Sequence, residues 1–235
     1  MNSKNTKKIE SRITCEFCKK LFVKEANLLV HSCERKRRWQ ARDEKVVKIG
    51  FYVFQRFYEI NFRNREGNKK KFDDFINSQF YSTFVAFGKY LREINAVDQD
   101  DFITFLIRNN VKAKDWTKIS IYRNWIKDQV KKELPLRAFE RAVLVMQQWA
   151  LENDDLWNNF FRNVNSNLAV SLICNGRISP WLIYSQSGIA LLNRLNDTQM
   201  DLIQDIIDPE FWTIKLKQDV DMLKQLADFC EEFGL

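Results

Sequence analysis

Glycine and proline are scarce in this chain, six and three among 235 residues, and alternating strand patterns are rare. Few turns and few strands leave a mainly α-helical body as the expected fold. No apolar stretch approaches the roughly 18 uncharged residues of a membrane span. The first twelve residues are polar and lysine-rich where a secretory leader would be apolar. The expectation is a soluble intracellular protein with no membrane partner. Walker phosphate loops, GxGxxG and GxSxG motifs are missing as well, and histidine occurs once, as His31. What is abundant is apolar and aromatic surface, 45% and 14% of the residues, enough for one sizeable domain plus an appendage.

The sole histidine lies in the most informative stretch, Cys15-Glu-Phe-Cys18, then His31 and Cys33. Two cysteines with a two-residue spacer form a tight thiolate knuckle, and an imidazole one helix later completes the usual cage for tetrahedral zinc. Phe22 and Leu28 occupy the intervening core positions. The run resembles a C2H2 zinc finger over about residues 13–33, matching the first three ligands and both core positions. It departs at the fourth ligand: the residue four after His31 is Arg35, which cannot bind metal. Cys33 is two residues on, about 200° around an ideal helix, so it reaches the same ion only if the helix ends near His31. The expected site is Cys15, Cys18, His31 and Cys33 around Zn²⁺, with four protein ligands and a structural role. Cys174 and Cys230, in apolar helical patterns, are expected as buried free thiols.

Charge is unevenly spread. Residues 1–71 hold 20 Lys and Arg against 8 Asp and Glu, whereas residues 72–235 hold 18 against 23. Arg35-Lys36-Arg37-Arg38 follows the last ligand, and Lys69-Lys70-Lys71 comes later. Such clusters are the electrostatic footprint of nucleic acid, because each neutralised phosphate releases a counterion. A solvated face or a localisation signal is the alternative. Lys19, Lys20, Arg35, Lys36, Arg37 and Arg38 are the candidate phosphate contacts. The finger resemblance implies that Lys24, Asn27 and Val30 face a major groove, with Lys24 on guanine and Asn27 on adenine. Trp39 either stacks on a base or is buried under the helix that follows.

Apolar spacing organises the rest. A zinc finger with a basic arm is expected at 1–33, a linker helix and hinge at 34–71, and an all-α domain at 72–235. Val46, Ile49, Val53, Phe57 and Ile60 predict one long helix over 34–62, basic at its start and aromatic at its end; residues 64–71 form a polar hinge. Phe80, Phe84, Phe87 and Leu91 give a helix over 72–94, Asp98 to Asp101 caps one over 102–109, and another spans 116–132. Pro135 opens a helix through 149, with Phe139, Val143, Met146 and Ala150 in register. Ser179-Pro180 and Asp208-Pro209 read as caps followed by proline at the first helical position, the last helix running over 209–232 with Gly234 beyond it.

Catalysis finds little support. With His31 committed to metal, histidine-based triads, nucleases and phosphotransfer are excluded. Asp197, Asp201 and Asp205 share one predicted helix face and suit Mg²⁺, but acidic residues at helix starts and on solvated faces account for this and the other acidic clusters. No enzyme is expected.

The Cys-x2-Cys to His-x-Cys run leading into Lys36-Arg37-Arg38-Trp39, joined to an aromatic helical body, resembles proteins of T4-like tailed bacteriophages. That resemblance implies a phage factor in the host cytoplasm or virion, acting on DNA or with the replication, transcription or assembly machinery. The expected function is a non-enzymatic nucleic-acid-binding accessory protein, DNA before RNA, whose helical body binds a protein partner. Its rival is a protein-binding adaptor or virion assembly factor in which zinc only staples the N-terminus.

Overall fold

The computed structural model describes residues 12–62 and 70–232, and their order is mainly α with one two-stranded antiparallel sheet. The basic arm before Arg12, Lys69 and most of the hinge, Gly234, and the side chain of Cys230 lie outside the described residues. The chain divides into two compact units, Met1–Tyr90 and Leu91–Leu235.

In the first unit β1 (Ile13–Thr14) pairs with β2 (Leu21–Phe22), Ile13 opposite Phe22, and α1 (Glu25–Leu29) follows. The long helix expected over 34–62 is corrected: α2 (Glu34–Gln40) ends in a 3-10 turn at Ala41–Asp43 before α3 (Lys45–Asn61). Glu44 is extended there (φ −64°, ψ 134°). Asp43 pairs with Arg42 and Lys48 across the break, and acidic side chains ahead of α3 suit its positive end. The 72–94 segment likewise divides into α4 (Phe72–Asn77) and α5 (Tyr81–Glu93). Ser78 is extended between them, and its hydroxyl accepts the Phe80 N–H at 3.1 Å. Phe80, expected inside, is exposed, while Phe84, Phe87 and Leu91 are buried.

Aromatic rings fill the core of this unit. Phe54 lies 5.2 Å from Phe75 and 5.7 Å from Phe84 between centroids, within the range of favourable ring pairs. The buried face of α3 carries Val47, Gly50, Val53 and Phe54; of the expected stripe, Val46, Ile49, Phe57 and Ile60 are only half-buried. Two glycines explain the rotation. A Cβ on Gly88 would lie 2.6 Å from the Val46 carbonyl oxygen, and one on Gly50 would lie 2.9 Å from that of Phe84. Here α3 and α5 approach backbone to backbone, so the point of closest contact carries no apolar side chain for a periodicity to reveal.

The second unit holds α6 (Gln99–Arg108), α7 (Ile119–Lys132), α8 (Pro135–Asn153), α9 (Phe160–Asn163), α10 (Ser166–Cys174), α11 (Pro180–Ile183), α12 (Gln186–Leu192), α13 (Asp197–Ile207), α14 (Pro209–Gln218) and α15 (Val220–Glu232). Trp116, Trp125, Trp181 and Trp212 are buried, and each indole N–H has an acceptor: Val111 O, Asp101 Oδ2, Glu133 O and Ile206 O respectively. Bulk is thus buried without an orphaned donor. Cys174 is buried and free. Burial raises its thiol pKa against the opposing pull of Arg123.

Asp208, with φ 29°, ends α13, accepts the Phe211 N–H to cap α14, and pairs with Lys131 at 2.6 Å. That ammonium holds its carboxyl below the usual range. The single helix expected over 209–232 breaks at Asp219 (φ −99°, ψ 48°). Its carboxylate reaches back to Lys215 at 3.0 Å while its carbonyl accepts the Leu223 N–H at 2.9 Å. Aspartate is also among the weaker helix formers. Among the described residues no helix is long and apolar enough to cross a membrane.

Candidate metal centre

The knuckle is built by the backbone. Cys15 N–H donates to Lys20 O and Lys19 N–H to Cys15 O, both at 2.9 Å, and Lys19 turns the chain through the left-handed region at φ 61°. Lysine adopts that conformation at a cost of roughly 1 kcal/mol, which the closed turn must offset. Cys18 is thereby folded back on Cys15. Across from them α1 has no side-chain cap and stops at Leu29, and His31 N–H bonds Leu28 O in a final tight turn. The Phe22 ring rests against His31, 4.8 Å between centroids. Cys33 then stands as the N-cap of α2, in extended conformation (φ −83°, ψ 162°). Because α1 ends early, Cys33 is freed from the helical phase that would turn it away.

The ligand atoms of Cys15, Cys18, His31 and Cys33 lie within 4.8 Å of one another, and Cys18 Sγ is 3.2 Å from His31 Nε2. A tetrahedral zinc with bonds of about 2.3 Å to sulfur and about 2.05 Å to nitrogen sets S···S edges near about 3.8 Å and S···N edges near about 3.6 Å. The Cys18–His31 edge is within a few tenths of an ångström of this, and the widest separations need shifts of up to about 1 Å to hold such an ion. Backbone N–H groups also point at the sulfurs. The Cys18 N–H is the main cause of a lowered Cys15 pKa, ahead of an opposing desolvation. At Cys18 the Lys20 N–H favours the thiolate, but desolvation and the neighbouring Cys15 and Cys33 outweigh it and raise the pKa. One thiol is thus held toward the thiolate at the expense of its neighbour, and a divalent cation would favour the thiolate at both.

The flanking basic residues divide into two groups. Lys19, Lys20, Lys24 and Arg37 are exposed, as is the neutral Asn27, with Lys20 leaning over the Phe22 ring. The others engage the protein itself. Arg35, itself exposed, donates to Phe17 O at 3.3 Å and Lys36 to His31 O at 3.2 Å, tying the finger to α2. Arg38, only 16% exposed, donates to Ile76 O at 2.8 Å and Ser78 O at 3.1 Å, pairs with Glu34, and lies 4.5 Å from the Tyr81 ring centroid. It caps the C-terminal carbonyls of α4, which is why the chain turns there. Trp39 is half-buried, 5.7 Å from Phe17 between centroids, with the Arg42 guanidinium 3.7 Å over its ring. One face is therefore taken by Arg42. A basic run gives no sign of this division, since only the contacts with Phe17, Ile76 and Ser78 create it.

Replacing Arg38 by alanine is expected to destabilise the protein by about 2–4 kcal/mol, because two α4 carbonyls lose a charged donor and Tyr81 loses a cation. Arg37→Ala, on the exposed side, should stay within about 0.5 kcal/mol. Urea unfolding followed by circular dichroism compares the two; equal effects would contradict the clamp.

The acidic clusters form no comparable centre. Asp205 pairs with Lys127 while Asp197 and Asp201 are exposed. Asp74 accepts the Lys71 backbone N–H at 2.8 Å at the start of α4. Asp155 accepts from Asn159, Asn163 and the Leu156 N–H, which hold its carboxyl low. Among the described residues the cysteine–histidine group is the one set of ligands close enough for an ion. Fold and site together define a mainly α-helical protein with an N-terminal Cys3His group able to hold a metal. No family model, curated protein or solved structure matches the chain.

Proposed function

We propose that this is a non-enzymatic, zinc-holding accessory protein whose N-terminal unit contacts DNA phosphates and whose helical body binds a protein partner. Zinc is the ion that three sulfurs and one imidazole nitrogen suit best, and four protein ligands leave no open position for a substrate. The observation that carries the reading is the exposure of Lys19, Lys20, Lys24, Asn27 and Arg37 on and beside a finger held in place by its own metal site. Phosphate contacts need charge and reach, and the cations among them have both. A phage origin, with a DNA-associated role in the host cytoplasm, is part of this proposal.

Fluorescence anisotropy against single- and double-stranded DNA at several salt concentrations tests it. Replacing Lys19, Lys20, Lys24 and Arg37 with alanine should weaken binding alike across unrelated sequences. The log–log salt slope should flatten by about 0.9 per lost contact on duplex or about 0.7 on single strands. Asn27→Ala should instead change the preference among sequences if the finger reads bases. A wild-type protein with no salt-sensitive binding to DNA or RNA would end the nucleic-acid reading.

One observation favours the adaptor reading instead. Leu29 and Val30 are 72% and 83% exposed, and Leu21 and Val23 on the hairpin are also exposed. So much apolar surface on so small an element suits a protein contact. With Lys36 and Arg38 engaged by the protein itself, the finger would then be a docking knob.

A further inference from the structure

In the second unit α8 turns one face to its own core, with Ala138, Phe139, Ala142, Val145, Met146 and Trp149 buried. The opposite face carries leucines where water would favour polar residues. Leu136, Leu144 and Leu151 are exposed, Leu144 by 65% and Leu151 by 82%, and Leu134 and Leu156, just outside the two ends of the helix, are exposed as well. Arg137, Glu140, Gln147, Gln148 and Glu152 are exposed among them. So many leucines along one helix of 19 residues, about 28 Å long, exceed the single apolar residues scattered over an ordinary surface.

The order of these residues is close to symmetric about Leu144. Leu136 lies eight positions before it and Leu151 seven after; Arg137 lies seven before and Glu152 eight after; Glu140 lies four before and Gln147 three after. At about 100° per residue, Leu136, Glu140, Gln147 and Leu151 fall on one flank of the line through Leu144, and Arg137 and Glu152 on the other. A two-fold antiparallel helix pair requires this kind of symmetry. In it each residue meets the partner residue that lies equally far from the axis in the opposite direction and on the same flank. A different protein would impose no such order on this helix. We infer that α8 pairs with α8 of a second copy of this chain, antiparallel, about a two-fold axis at Leu144. Leu144 then packs on Leu144 of the partner subunit and Leu136 on Leu151 of the partner subunit, while the Glu140 carboxylate accepts from the amide of Gln147 of the partner subunit. Arg137 faces Glu152 of the partner subunit, which sets opposite charges together at both ends of the contact. Gln148 donates to Glu152 at 2.6 Å and holds it on that flank. A parallel pair would instead set Arg137 on Arg137 and Glu140 on Glu140. One helix pair is at the low end of stable interfaces, so the dimer is weak and concentration-dependent. The pairing is independent of what the finger binds.

Sedimentation equilibrium of the full chain, from micromolar to submillimolar concentration, tests the pairing. The weight-average mass should rise from the 28.2 kDa of one chain toward twice that value. Leu144→Glu places two carboxylates at the axis and should hold the mass at one chain with an unchanged circular dichroism spectrum. Leu151→Glu provides the same test should Leu144→Glu fail to fold. Arg137→Glu and Glu152→Arg should each weaken self-association by about fivefold, since each sets like charges together at both ends of the contact. An equimolar mixture of these two variants should restore it, because in the mixed dimer both ends again join opposite charges. A chain that stays monomeric throughout, self-association that survives Leu144→Glu or Leu151→Glu, or a mixture that associates no better than its components would overturn the antiparallel α8 dimer.

Discussion

Chelating the metal is expected to unfold residues 13–33 and expose Trp39 while the helical circular dichroism signal falls only slightly. The finger contributes one five-residue helix, two short strands and little apolar core, so ligation of a metal would be the main term holding it. Structural zinc in finger peptides is worth about 10–16 kcal/mol at neutral pH, far more than half-buried Phe22 and Leu28 supply. Trp39 should report the loss because its neighbour Phe17 belongs to the knuckle, whereas Trp116, Trp125, Trp181 and Trp212 are buried in the other unit. Emission and acrylamide quenching, compared with Trp39→Phe, isolate that signal. Elemental analysis should find one zinc per chain, and Cys15→Ala with Cys33→Ala should abolish it. Undiminished zinc in that double variant would refute the assignment.

Gly88→Val is expected to cost at least about 3 kcal/mol and to lower the Tm by many degrees. Any Cβ at this position would meet the Val46 carbonyl at 2.6 Å and the Gly50 nitrogen at 3.0 Å. Backbone atoms cannot rotate aside as a side chain would. The helices must separate, and the packing of Phe54 against Phe84 goes with them. Overpacking in a close-packed core costs about 1–3 kcal/mol even where side chains can yield, and the helix propensity gained over glycine, a few tenths of a kcal/mol, is too small to offset it. Thermal unfolding beside Ser82→Val, exposed on the same helix, provides the comparison; similar melting of the two variants would mean that α3 and α5 are not in such close contact.

The ligand set was legible because metal chemistry is local: spacing, residue type and the two core positions all lie within some twenty residues. The helical class was legible for a similar reason, periodicity being a short-range property. The break at Ser78 was not, since its partner Arg38 is chosen by the fold; those at Glu44 and Asp219 involve local pairs, Asp43 with Lys48 and Lys215 with Asp219, that a continuous helix would also allow. The α3–α5 contact escaped because glycine leaves no apolar mark. Arg38 reads as one more charge in a run of four, and only its distance to Ile76 and Ser78 reveals its different role.

Cys33 belongs to two structures at once, as the last member of the cysteine–histidine group and as the residue from which α2 starts. Five residues later on the same short helix is Arg38, fastened to the end of α4. The interval from sulfur to guanidinium is therefore a ruler. One residue inserted within it would advance everything beyond by about 1.5 Å and swing it by about 100°, so that the metal and the clamp could no longer both be satisfied. Substitutions on the outer side of this interval, as at Arg37, are free to drift with function; its length is not.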